Sequence, residues 1–444
     1  MKELTCRGKW IIPGDKKEVY GTLNYTSSEK ILDLIEVEGN FSNIMQPGQI
    51  IDPILIKGHT EDGKYLTVEG YPLNLKYRGL GYNTAKFNVT KVYYGKYFPN
   101  REELNFKKVM VKFYNLREWS CIVGYLEYIR AENTYGASCE VPDPLYLGTF
   151  EDFKFYIGMH FDGSFVQNCS FSIDIDFKLI IEHENGDLVN FSKYLDIIKS
   201  FEKFLSFSIG SRVYPHEIIG SIPKGEKDAH IDIYLEELHE KPPKKIINSD
   251  NMLFNNSHEN MESIFTKWFE IEKRLKPIFN LYFSTKKFNM PLAYNFISLC
   301  YALESYHRQT RINERLPIDE YNTRVEEIKD VFSMKDSRYK RWLDGKLRGN
   351  EPSLADRLRE LLKEYLPQWG NNTIHDFSEF VAHNRNGLSH EAALRAENHS
   401  EIYHATKKLE ILLELCIMEE IGFEKEEILK IFHDKIRLEF EIGV

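Results

Sequence analysis

"HEKPPKKIINSDNMLFNNSHENM", residues 239–261, is where the hydrophobic period of the chain changes. Pro, Lys, Asn and Ser gather here with little periodicity, as they do in an interdomain linker. Before it, short runs alternate apolar and polar residues between Gly, Pro, Asn and Asp, the signature of strands. After it, apolar residues recur at the 3.6-residue spacing of helices. The expected fold class is therefore α+β and multidomain: a β-rich domain over residues 1–238, a linker over 239–262 and an all-α helical bundle over 263–444. A chain of 444 residues also exceeds the roughly 250 residues that one core normally organises, so a boundary is required.

Within the first part, "DPILIKGHTEDGKYLTVEGYPL" offers two strands around a turn at Asp62-Gly63, and "FKLIIEHENGDLVNF" another turn at Asn185-Gly186. "KYLDIIKSFEKFLSF" breaks the alternation: Leu195, Ile198, Phe201 and Leu205 have helical spacing, which predicts one helix packed on the sheets. In the second part, Pro291 opens a helix whose apolar positions include Phe296, Leu299, Cys300, Leu303 and Tyr306. Asp376 with Glu379 resembles a capping box. The longest periodic run, from Ile402 through Leu409, Leu412 and Cys416 to Ile417, stops at Gly422, a candidate C′ glycine followed by apolar Phe423.

The composition, 42% apolar and 28% charged, is that of a folded protein. A formal net charge of −10 excludes an evenly basic nucleic-acid coat, so any contact with phosphates is local. Six scattered cysteines, none in CxxC spacing, suggest neither a disulfide framework nor a zinc site. "MKELTCRGKW" lacks the apolar run of a signal peptide, and no stretch approaches the roughly 20 apolar residues of a membrane span. The expected location is the cytoplasm, with no membrane partner.

The chemistry-bearing stretch is "HNRNGLSHEAA", residues 383–393. A helix starting at Asp376 is expected to end near Arg385, because Asn386-Gly387 is a breaker signal, and to leave His390 just beyond. The pair suits RNA cleavage without metal. A neutral imidazole accepts the proton of a ribose 2′-hydroxyl, and a guanidinium holds the phosphate as charge grows on its oxygens. The products are a 2′,3′-cyclic phosphate and a 5′-hydroxyl. One histidine does not readily serve as base and acid in one step, so the chemistry points to two copies, a homodimer or higher homo-oligomer. Spacing alone is weak: with 14 His in the chain, roughly one Arg-x4-His match arises by chance, and a solvated turn between two helices is the competing reading.

"RNGLSH", after a capped helix and before a long helix ending "LLELCIMEEIGF", resembles the Arg-x4-6-His motif of HEPN domains. "FISLCYALESYHR" is similar to the early helix of the ApeA-like HEPN group, and "GKWIIPGDKKEVYGTLNY" resembles the opening of the β-rich domain that precedes it. The resemblance implies an anti-phage protein acting by abortive infection. Its HEPN bundle would be a metal-independent ribonuclease with no cofactor, and its N-terminal domain would sense or regulate. By position it implies Arg385 and His390 as catalytic and Asn386 as supporting. Many HEPN motifs continue His-Gly, whereas Glu391 follows His390 here. A carboxylate beside the imidazole favours its protonated form or orients the ring.

Glu304 and His307, at i, i+3 spacing on the "ALESYHR" helix, are candidates to line the same cleft in support of the pair, a solvated stripe being the alternative. In "KDSRYKRWLDGKLRG", Arg338, Lys340 and Arg341 alternate with Tyr339 and Trp342, a pattern that holds phosphates while stacking unpaired bases. The expected partners are RNA with an unpaired loop, transfer RNA being one candidate, and a phage-derived trigger. The opposing function class is a HEPN bundle that binds RNA or dimerises without catalysis.

Three other constellations are set aside. Gly163-Ser164 with Asp174 and Asp176 nominally fits a two-metal nucleotidyltransferase. However, the clean alternation from Phe171 to Ile181 places both carboxylates on a wet strand face. "GSIPKGEK" has Glu226 where a P-loop requires Lys, and "HEAAL" lacks the second histidine of a zinc protease helix.

Overall fold

The computed structural model describes residues 3–14, 17–37, 52–76, 83–122, 125–131, 134–166, 170–236, 245–347, 349–391 and 399–441. It divides into two compact units, Met1–Thr266 and Lys267–Val444. The first is β-rich and the second helical.

The first six strands are β1 (Leu4–Ile11), β2 (Val19–Tyr25), β3 (Lys30–Ile35), β4 (Ile54–Thr60), β5 (Tyr65–Lys76) and β6 (Thr84–Tyr94). They pair in the order β6-β3-β2-β1-β4-β5, and β5 returns to β6 along Leu66↔Tyr94 to Lys76↔Thr84, which closes a barrel. Every pairing is antiparallel, and Trp10, Leu23, Leu32, Leu34, Ile56, Val68 and Phe87 fill the interior. Trp10 lies opposite Gly58, where an added Cβ would stand 2.3 Å from the indole, so the ring takes the space that glycine leaves open.

The chain continues through β7 (Asn105–Phe106), β8 (Lys108–Phe113), α1 (Leu116–Ser120), β9 (Tyr125–Ala131), β10 (Thr134–Glu140), β11 (Leu145–Phe150), β12 (Phe153–Val166), β13 (Ser170–His183), β14 (Val189–Asn190), α2 (Phe191–Ile209), β15 (Pro215–Lys224) and β16 (Lys227–Leu235). The order β11-β12-β13-β8-β15-β16 extends the sheet from β6. As the alternation predicts, Phe177, Leu179 and Ile181 are buried, while Asp176 stands on the other side, 2.6 Å from Lys112. The side chain of Asp174 lies outside the described residues. Gly63 and Gly186 turn with φ of 80° and 72° where the dipeptides place them. "GSIPKGEK" is the β15–β16 hairpin. α2 packs on the sheet: Phe201 meets Phe113 at 5.2 Å, and the Tyr194 hydroxyl donates to the Lys107 carbonyl at 2.9 Å. The segment after residue 244 packs with the β-rich unit too, with Phe254 against Phe204 at 5.9 Å.

The helices that follow are α3 (Met261–Arg274), within which the two units divide, α4 (Lys276–Lys287), α5 (Leu292–Thr310), α6 (Ile318–Val331), α7 (Ser337–Lys346), α8 (Leu354–Tyr365), α9 (Asn371–Glu391), α10 (His399–Glu420) and α11 (Lys425–Glu441). α5 packs on α4, α8, α9 and α10, so its stripe of Phe296, Leu299, Cys300, Leu303 and Tyr306 is wholly buried. α10 ends at the expected glycine. Gly422 has φ of 105°, and the amides of Gly422 and Phe423 donate to the carbonyls of Glu419 and Met418, a Schellman closure with Phe423 buried.

Candidate active site

α9 carries the Arg and His. It runs without interruption from Asn371 to Glu391, so two expectations are corrected. Asp376 lies inside the helix rather than at its N-cap, and Glu379 pairs with Arg359 at 2.6 Å instead of closing a capping box. The Asn386-Gly387 step does not end the helix, and Gly387 has no positive φ. Glycine and asparagine cost a helix interior up to about 1 kcal/mol each relative to alanine. Burial outweighs that cost here. Val381 and Leu388, two turns apart, are buried, and α9 lies against α5 and α8.

Arg385 therefore projects from a continuous helix. Its guanidinium meets the Glu304 carboxylate of α5 at 3.4 Å and lies 6.0 Å from the centre of the Tyr301 ring, one turn earlier on α5. Glu304 and Arg385 are each about one-fifth exposed, so the pair is shielded yet reachable. Cys300, fully buried one turn before Glu304, stays a thiol: burial pushes it up, Arg385 opposes and Glu304 adds. Asn386 is exposed. Position 390 is on the same helix, five residues and about 7.5 Å of axial rise beyond Arg385. The side chains of His390 and Glu391 lie outside the described residues.

His307 is not on a solvated stripe. It is fully buried, with Nε2 2.9 Å from a Glu360 oxygen and Nδ1 3.2 Å from Arg357 Nη1. A guanidinium only donates, so Nδ1 accepts and the ring proton sits on Nε2, pointing at the carboxylate. His307 thus links α5 to α8. Arg357, also buried, has its pKa lowered by desolvation and by the neighbouring Arg308 charge. Glu351 bridges Arg308 at 2.9 Å and Arg357 at 3.3 Å, and Arg308 reaches Glu304 at 3.7 Å. One chain of alternating charges runs from Arg357 through Glu351, Arg308 and Glu304 to Arg385.

Tyr301, Arg357 and Glu360 are absent from the sequence reading. Arg357 had a visible signal, because it interrupts the apolar stripe of Leu354, Leu358, Leu361 and Leu362, where a charge needs partners. The structure brings Glu304 to Arg385. It carries Arg338, Lys340 and Arg341, all exposed, on α7 beside Trp342. Among the described residues α7 makes no extensive packing with α5 or α9. No three His, Cys, Asp or Glu side chains among the described residues gather as metal ligands, and no helix there is long and apolar enough to cross a membrane.

Residues 5–268 match the family model described as ApeA N-terminal domain 1, and residues 297–427 match that described as Apea-like HEPN. No curated protein and no solved structure matches the chain.

Proposed function

Because the chain belongs to the ApeA-like family and carries a C-terminal HEPN domain, we propose that it is an anti-phage defence protein whose helical unit is a metal-independent endoribonuclease. In this reading His390 takes the proton of a ribose 2′-hydroxyl, the 2′-oxygen bonds to phosphorus, and the 5′-oxygen leaves with a proton from a second acid. Arg385 holds the non-bridging oxygens as their charge grows. The second acid is His390 of another copy, which makes the working form a homo-oligomer. Asn386, Glu304 and His307 support the pair, and Arg338, Lys340 and Arg341 hold flanking RNA. The N-terminal unit restrains the nuclease in the cytoplasm until a phage-derived trigger arrives, and transfer RNA is one candidate substrate.

The observation that carries this reading is the Arg385–Glu304 pair: a guanidinium oriented by a carboxylate, at the family's motif position and one-fifth exposed. The test is cleavage of total bacterial RNA by the purified chain in EDTA, with wild type beside His390→Ala and Arg385→Ala, and with the fragment ends mapped. Cyclic-phosphate ends from wild type alone are the expected result. Equal fragments from all three, or fragments only when magnesium is added, would remove the reading.

The same pair favours one alternative. A guanidinium that already faces a carboxylate lends less charge to a phosphate, as suits a HEPN bundle that binds RNA or dimerises without cutting it. Unchanged protection of infected cells by His390→Ala would select that alternative.

A further inference from the structure

The helical unit contains a cavity of about 550 Å³ that the chemistry at Arg385 does not use. Trp369, Phe377 and Phe380 line it from the segment before α9 and from α9 itself, and His404 lines it from α10. Trp369 and Phe377 meet edge to face at 5.9 Å. The ammonium of Lys408 stands to one side of both, 5.4 and 5.6 Å from the two ring centres, and the residue is only 4% exposed. Asp376 and Glu401, both exposed, add carboxylates to the wall.

This combination selects against most ligands. A buried ammonium opposes an organic cation, and two carboxylates oppose a free phosphate or a carboxylic acid. A flat neutral heterocycle with donors on one edge meets these walls: rings to pack against and carboxylates to accept from amino and imino hydrogens. The volume lies within the range of small-molecule sites, roughly 300–1,000 Å³, and exceeds what a single water needs by far. The cavity shares α9 with Arg385. Phe380 and Phe377 precede Arg385 on α9 by five and eight residues, about 7.5 and 12 Å of axial rise. Phe380 and Phe377 also stand roughly 140° and 80° around the helix from Arg385, so a strand with a phosphate at Arg385 reaches the cavity by wrapping part of α9.

We infer that this cavity receives one unpaired nucleobase of the RNA, a short step along the strand from the phosphate at Arg385. The inference rests on the RNA-cleaving reading above. The base sits against the aromatic walls, with its sugar and phosphate outside, away from Asp376 and Glu401. It makes the site selective for RNA with splayed-out bases.

The test uses the full chain and a fluorescent, fully 2′-O-methylated oligonucleotide of mixed sequence, which cannot be cleaved, with affinity read by anisotropy. Phe377→Leu removes a stacking wall and Thr373→Phe fills the cavity, so the two variants perturb packing in opposite senses. Both are expected to weaken binding about tenfold. A series with one abasic position moved along the strand should show one position whose loss weakens wild type equally and the variants no further. Equal affinity in wild type and both variants would overturn the inference. So would failure of wild type to bind the oligonucleotide, or competition by free nucleoside monophosphates as strong as by the strand, the last result marking a free-nucleotide site. Binding of an uncleavable strand does not depend on catalysis by Arg385 and His390, so the EDTA cleavage assay can fail while this result stands, and the reverse.

Discussion

The Arg385 guanidinium of α9 is held 3.4 Å from one oxygen of Glu304 on α5, while the other oxygen of that carboxylate faces Arg308 at 3.7 Å. One carboxylate thus serves two guanidinium groups and ties the motif helix to the centre of the bundle. A carboxylate in that place orients Arg385 and also competes with a phosphate for it, and the two roles predict opposite effects of its removal.

Glu304→Gln keeps the shape and removes the charge. If orientation dominates, RNA cleavage loses about tenfold in kcat with KM little changed, because a guanidinium that wanders no longer meets the transition state. Glu304→Asp should recover part of the loss. A kcat equal to wild type in Glu304→Gln would reduce the pair to a surface contact.

Gly387 lies inside α9, has no positive φ, and an added Cβ there meets nothing within 4 Å. Gly387→Ala is therefore expected to stabilise the helical unit by about 1 kcal/mol through backbone entropy alone. Urea unfolding measures it, and a lowered midpoint would contradict a continuous helix at this position.

The His307–Arg357 contact, 3.2 Å between two buried side chains, couples α5 to α8. His307→Phe keeps a planar ring but leaves the guanidinium short of an acceptor, at a cost of about 2 kcal/mol. Combined with Arg357→Met, the loss should fall short of the sum of the single variants by about 1 kcal/mol. Strict additivity in urea midpoints would mean that the two side chains do not share a bond.

In the β-rich unit, burial and the nearby Lys112 charge depress His216 from 6.5 to about 4, with Glu217 and Asp176 opposing, and its ring lies 4.3 Å from that of Tyr114. Between these values the unfolded chain binds a proton that the folded unit does not. The stability this supplies is complete above about pH 6.5 and is lost as the pH falls towards 4. Urea midpoints taken at neutral pH and again in acid should converge less steeply in His216→Gln than in wild type, and identical slopes would count against the shift.

Much of this protein follows from residues that are neighbours along the chain. The alternation around Phe177, Leu179 and Ile181 determined which face of β13 is buried and left Asp176 to pair with Lys112 on the other. The spacing of Leu299, Leu303 and Tyr306 determined the core face of α5, and Gly422 with Phe423 determined where α10 stops. Period and capping are local properties, set by 2.0 or 3.6 residues per repeat and by one glycine at positive φ, so the order of residues carries them whole. The tertiary structure decided the rest. Closure of the barrel requires β6 to pair with β3 across the intervening β4 and β5, from Ile31↔Asn88 to Ile35↔Thr84. α9 runs through Asn386-Gly387 because Leu388 is buried in the bundle, a gain that no local propensity records. Glu304 meets Arg385 across 81 residues and His307 meets Arg357 across 50, so their roles exist only once the helices pack. A charge inside a core announces that it has partners, and only the fold says which ones.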